Sequence, residues 1–197
     1  MIDWFLKMKH WQLFIWTFGI PMCQIIIMVS IVSSMGHEPN PNPEQMYNYM
    51  KFIPLILFIF MVTFFTWFWV IAIGLQKKIP AQITLDVVVF KILYFIVLIY
   101  SIFYLIGFLM IMSGFFQSDQ LQDFSIFRSL FWIILPLHLF SVFCVLYATY
   151  LVAKTFKTAE LQREVKFTDF AVEFLMLWFF PIGIWFIQPK LNKMMKG

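Results

Sequence analysis

The chain has 197 residues, of which 62% are hydrophobic and only 12% charged, with a net charge of +4. Soluble domains are roughly half apolar and a quarter charged, so this composition, with a mean hydropathy of +0.87, excludes a soluble fold and describes an integral membrane protein. Residues 1–197 read as a single all-α domain, a polytopic transmembrane helical bundle of four spans with a C-terminal broken segment, or alternatively of five spans, with no room for a sizeable soluble domain. Any activity then sits in or against the membrane.

The first span is expected at about 11–35, long enough for the roughly 20 apolar residues a bilayer core requires. It follows Lys7 and Lys9, as a signal peptide would, but it is too long and ends in Val32-Ser33-Ser34-Met35-Gly36, a poor cleavage site. It therefore reads as a retained span, with Trp4, Trp11 and Trp16 as its interfacial belt. Gly19, Cys23, Ser30 and Ser34 share a stripe of small residues suited to close helix packing, with Gln24 beside it. Pro39, Pro41 and Pro43 exclude helix from the loop that follows. His37 and Glu38 alone make no metal site there.

The second span is expected at about 52–75, stopped by Gln76-Lys77-Lys78-Ile79-Pro80, and the third at about 90–116. Ser101, Tyr104 and Gly107 recur every three residues in the third span and so share one face, expected to meet other helices. Between 117 and 129, Leu121, Phe124 and Phe127 recur at helical spacing and predict a short surface helix.

The fourth span, about 130–153, carries Pro136 and His138 and has the one ionisable group near the middle of a span. Intramembrane ionisable residues are functional candidates by default; the structural alternative is a neutral imidazole hydrogen-bonded to a hydroxyl or carbonyl of a neighbouring helix. His138 shares a stripe with Ser141, Val145, Ala148 and Thr149, a face narrow enough to bury. Beyond it, Lys154, Lys157, Arg163 and Lys166 alternate with Glu160, Glu164 and Asp169, a solvated helical continuation whose four cations are candidates for binding anionic lipid headgroups.

Cytoplasmic loops carry the lysine and arginine excess. With a cytoplasmic N-terminus and four spans, Lys7, Lys9, Lys77, Lys78, Lys91, Lys154, Lys157, Arg163 and Lys166 fall inside, against Lys51 and Arg128 outside. If the last apolar run crossed, Lys190, Lys193 and Lys196 would move outside and blur that alternation. The run from 170 to 187 makes only about 27 Å of helix, and Pro181 and Gly183 interrupt it. A re-entrant or interfacial segment is expected, with a fifth span as the alternative. Asp169 and Glu173 lie on one face at its start, where like charges need cations. Lys166 and Lys190 are the expected partners, clamping the start of the segment to its end; a proton-coupled pairing of Glu173 with His138 is the sharper alternative.

The C-terminal run Phe180-Pro181-Ile182-Gly183-Ile184-Trp185, followed by Gln188-Pro189-Lys190 and Asn192, resembles the C-terminal signature of small uncharacterised inner-membrane proteins from Bacteroidota. The likeness covers about the last tenth of the chain. It implies a bacterial inner-membrane location and brings with it no activity, cofactor or catalytic residue.

No His-Glu-x-x-His, glycine-rich phosphate loop or cysteine cluster is present, and the sparse intramembrane polar groups supply no nucleophile beside a base. The chain reads as non-enzymatic and without cofactor or metal. Its positive balance is accounted for by the inside loops and does not argue for nucleic acid. The leading expectation is an accessory or scaffold subunit that meets other membrane subunits or its own copies. A small transporter or channel, or a lipid-binding protein, is the alternative, with His138 and the broken segment lining the site.

Overall fold

The computed structural model describes residues 2–35, 53–117 and 125–196. All regular structure among them is helical. Two short helices, α1 (Ile2–Lys7) and α2 (His10–Phe14), lead through a π turn at Ile15–Gly19 into α3 (Ile20–Met35). Next come α4 (Ile53–Gly74), prolonged by a 3-10 turn at Leu75–Lys78, then α5 (Val87–Gln117) and α6 (Ser125–Leu161). The chain ends in α7 (Phe167–Trp178) and α8 (Phe180–Lys196). The proline-rich loop and most of the surface helix expected at 117–129 lie outside the described residues, although the backbone from Ser125 onward already belongs to α6.

Among the described residues, four stretches are long and apolar enough to cross a membrane: His10–Ser30, Ile53–Lys78, Val87–Met110 and Phe131–Leu161. They match the four expected spans. The π turn has a local cause in Pro21, which lacks an N–H and cannot close a normal turn onto Thr17. Just before it, the Ile20 N–H reaches back five residues to the Ile15 carbonyl. At the far end of α6, Gln162 adopts a left-handed backbone, φ 54°, and its side chain donates to the Lys78 carbonyl at 2.7 Å. That bond ties the end of α6 to the 3-10 turn after α4.

The apolar core lies at one end of the bundle rather than along its length. Trp67, Ile71 and Leu75 of the α4 end, Phe90 of α5, and Val152 and Phe156 of α6 pack there with Phe170 and Leu177 of α7 and Ile184 and Leu191 of α8. Leu6 and Leu13 from the N-terminal helices complete it. The opposite end is open: every residue of α6 from Phe131 to Phe140 is exposed, and α3 buries none of its described side chains. The added elements α1, α2, α7 and α8 fill the space between α4 and α6 at one end only.

Within the chain, two small-residue faces are not closely packed at their described residues. On α3, Cys23 is exposed, and the exposed Ser30 hydroxyl donates to the Ile26 carbonyl of its own helix at 2.9 Å. On α5, Ser101 likewise donates to Val97 at 2.8 Å, Tyr104 is 62% exposed, and a Cβ at Gly107 would meet open space.

The C-terminal segment doubles back. Its break falls at Phe179 (φ −86°, ψ 67°), two residues before the expected Pro181. The N–H groups of Ile182 and Gly183 both return to the Phe179 carbonyl, at 2.8 and 3.1 Å, so Pro181 occupies the first turn of α8, where a missing donor costs nothing. Phe180 packs on Phe60, Phe64 and Trp67, with ring centroids 5.8, 4.9 and 5.2 Å away, near the mid-length of α4. From there α8 returns toward the closed end, where Lys190 meets Glu173 at 3.3 Å. The segment is a helical hairpin rather than one continuous span.

Gly183 makes that hairpin possible. A Cβ there would lie 2.4 Å from the Met176 carbonyl oxygen, so α7 and α8 approach more closely than any side chain permits. Gly183→Ala is expected to destabilise the protein by about 1–3 kcal/mol, the usual range for overpacking, as a lower thermal midpoint in detergent. An unchanged midpoint would show that the two helices separate at no cost.

Candidate functional site

The closed end holds the charged residues. Asp169, in the first turn of α7, accepts the Lys166 backbone N–H at 2.9 Å and receives both Arg163 guanidinium nitrogens at 3.2 Å. The Lys166 N–H, then the Arg163 side chain, hold its carboxyl below the usual range. Lys166 therefore serves Asp169 chiefly through its backbone N–H, with its side-chain charge the smaller contribution.

Glu173 is 4% exposed. Its Oε1 accepts Lys157 Nζ at 2.8 Å and Lys190 Nζ at 3.3 Å. Lys190 is the partner expected from sequence; Lys157, contributed by α6, replaces Lys166. Glu160 completes a four-membered cluster: Lys157 Nζ lies 2.8 Å from its Oε2 and Lys190 Nζ 3.5 Å from its Oε1. Burial pushes the Glu173 carboxyl up, but the ammonium groups of Lys157 and Lys190 outweigh it and leave the carboxyl below its usual range.

Both carboxyls thus bind protons less readily folded than unfolded. Their contribution is fully present above the unfolded values and is lost as pH falls through the lowered folded ones. Thermal midpoints measured from neutral to acid pH are expected to fall below the ordinary carboxylate range. The Asp169→Asn/Glu173→Gln double variant is expected to show a shallower acid decline, and an equal decline would assign the acid sensitivity elsewhere.

A second polar node ties the chain's two ends together. Gln188 is fully buried; its Oε1 accepts Trp67 Nε1 at 2.8 Å, and its Nε2 donates to the carbonyls of Met8 at 2.9 Å and Phe5 at 3.2 Å. Asn192, one turn later, donates to the same Met8 carbonyl at 3.0 Å. These carbonyls lie at and just beyond the C-terminus of α1, where helical groups lack intrahelical partners. Sequence reasoning missed Gln188, Asn192 and Trp67 as partners. The available signal was two amides four residues apart, on one face of a helix that follows an apolar run.

The four expected headgroup cations are not brought together as a free set. Lys157 and Arg163 are engaged by Glu160, Glu173 and Asp169. Lys154 lines a shallow pocket beside Gln76 and Asp86, and Lys166 is exposed.

His138 stands apart from all of this. Nineteen residues of α6 separate it from Lys157, about 28 Å of helix, so it does not meet Glu173 and the paired proton-transfer reading fails on distance. Ser141, Ala148 and Thr149 of its stripe are buried as expected, but His138 lies beyond the core and is exposed. Its Nδ1 lies 2.8 Å from the Tyr100 hydroxyl of α5, the kind of neighbour a neutral intramembrane imidazole needs. Tyr100 lines two apolar cavities, one of about 550 Å³ between α5 and α6 and one of about 320 Å³ bounded by α4, α5 and α6, and His138 lines the second. Among the described residues no three His, Cys, Asp or Glu side chains converge as metal ligands. Comparison with protein-family models, curated proteins and solved structures finds no match to this chain.

Proposed function

We propose that the chain is a multi-pass protein of a bacterial inner membrane, N-terminus cytoplasmic, and a non-enzymatic accessory subunit of a larger membrane assembly. The observation that carries this reading is the uneven packing. One end is closed by α1, α2 and the α7–α8 hairpin, while α3, the second half of α5 and the first half of α6 keep exposed apolar faces. Helices associate in lipid through close packing of small and apolar surfaces, and these are the faces left for neighbouring subunits. The basic residues concentrate at the closed end, which supports placing that end on the cytoplasmic side, in contact with anionic headgroups.

Purification of the tagged protein from its own membranes in mild detergent tests this, with the assembly mass determined and co-purifying proteins identified. A stoichiometric partner is expected. A chain that runs alone at the mass of one copy, with no partner, would remove the reading. The second reading, binding or carriage of a small apolar molecule, is favoured by one specific feature, the two cavities lined by Tyr100, the smaller of them also by His138.

A further inference from the structure

We infer that the groove between the 3-10 turn after α4 and the end of α6 binds the phosphate headgroup of one anionic phospholipid, with Lys77 and Lys78 as its cations. This rests on the reading that the closed end meets anionic headgroups, and it names the residues that do so. The groove measures about 440 Å³, within the range of small-molecule sites. Lys77, Lys78 and Ile79 line it together with Ala159 and Gln162 of α6 and Met194 of α8. Gln162 Nε2 donates both to the Lys78 carbonyl at 2.7 Å and to the Ala159 carbonyl at 2.6 Å, so the two lysines are carried on a backbone fastened to α6.

The occupant's charge follows from the lining. No carboxylate is among the residues that line the groove. Among the described residues neither Lys77 nor Lys78 takes part in an ion pair, whereas Lys157, Arg163 and Lys190 are all engaged by Glu160, Glu173 or Asp169. Lys78 is half-buried, and a partly desolvated ammonium without a counter-charge is unfavourable until an anion meets it. Lysine suits phosphate as a point charge. The position identifies the source of that phosphate. The apolar stretch Ile53–Lys78 ends at these residues, so in a bilayer they lie where hydrocarbon gives way to headgroups. Ile79 and Met194 add an apolar part to the wall that suits the glycerol and first acyl carbons of a lipid and offers nothing to a free phosphate ion. A zwitterionic headgroup brings its own ammonium, which two unpaired lysines repel.

The test is native mass spectrometry of the full chain in mild detergent, titrated with dioleoyl-phosphatidylglycerol or with dioleoyl-phosphatidylcholine. One phosphatidylglycerol per chain is expected to bind, about tenfold or more tightly than phosphatidylcholine. Lys77→Gln and Lys78→Gln are each expected to weaken it about fivefold, the weight of one lysine beside anionic headgroups, with the thermal midpoint in the absence of added lipid unchanged. The control is Lys7→Gln/Lys9→Gln, which removes two exposed cations of the same end that do not line the groove and is expected to leave the affinity as it is. Full affinity in Lys77→Gln/Lys78→Gln, or an equal loss in the control, would overturn the site and assign any preference to diffuse surface charge, leaving the headgroup contact of the closed end in place. A native chain with no preference for phosphatidylglycerol would overturn both. Displacement of the bound lipid by millimolar inorganic phosphate would show that the groove takes a soluble anion and would overturn the lipid as its source. The purification of partners does not depend on any of these outcomes.

Discussion

Glu173→Ala is expected to lower stability by about 1.5–3 kcal/mol, because it removes the charge-assisted hydrogen bond to the largely buried ammonium of Lys157, which then keeps Glu160 as its carboxylate neighbour. The loss is read from thermal unfolding in detergent and from the fraction of protein that elutes monodisperse. Glu173→Gln keeps the volume and one acceptor and is expected to fall between Ala and the native chain. The paired replacement Lys157→Met/Glu173→Met removes both charges from the low-dielectric site and is expected to recover most of the loss. Lys190→Met should cost less than Lys157→Met, since the Lys190 side chain is 44% exposed and that of Lys157 only 16%. A Glu173→Ala protein as stable as the native one would show that the hairpin is held by apolar packing alone.

Gln188→Leu is expected to cost about 1–3 kcal/mol and to loosen the N-terminus specifically. The substitution strands the Trp67 indole N–H inside a packed site, at about 1–3 kcal/mol, while the Phe5 carbonyl keeps the Met8 backbone N–H at 3.3 Å. Met8 retains Asn192 as a donor. Amide hydrogen exchange over residues 2–14 should therefore accelerate while exchange in the middle of α6 stays slow. Asn192→Leu removes a single bond to a carbonyl that keeps another donor, and its effect should be smaller. Uniform acceleration along the whole chain would mean that Gln188 contributes to global stability and does not anchor the N-terminus.

These two residues also mark the boundary between what pattern reading reached and what it missed. Glu173 was legible because a carboxylate inside an apolar run must find a cation, and a segment broken at its centre can fold Lys190 back to its start. Lys157 was read as a headgroup cation because nothing in the spacing of α6 and α7 reveals which of several lysines meets Glu173 once the chain turns at Gln162. Gln188 was invisible because its partners, Trp67 and the Phe5–Met8 carbonyls, lie more than a hundred residues away in the chain.

By itself the sequence determined the class of the protein, the number and approximate ends of its four long apolar helices, and the break in its C-terminal run. Those properties depend on hydropathy summed over about 20 consecutive residues and on proline and glycine chemistry, both local. Only the tertiary structure decided that the last segment doubles back at Phe179, that the core lies at one end, and that Tyr100 faces His138. The stripes of small residues on α3 and α5 were real patterns, but a stripe states only that a helix is able to pack closely. Whether it does depends on what fills the space beside it, and here α1, α2 and the α7–α8 hairpin occupy a single end of the bundle and leave the other to lipid, ligand or partner.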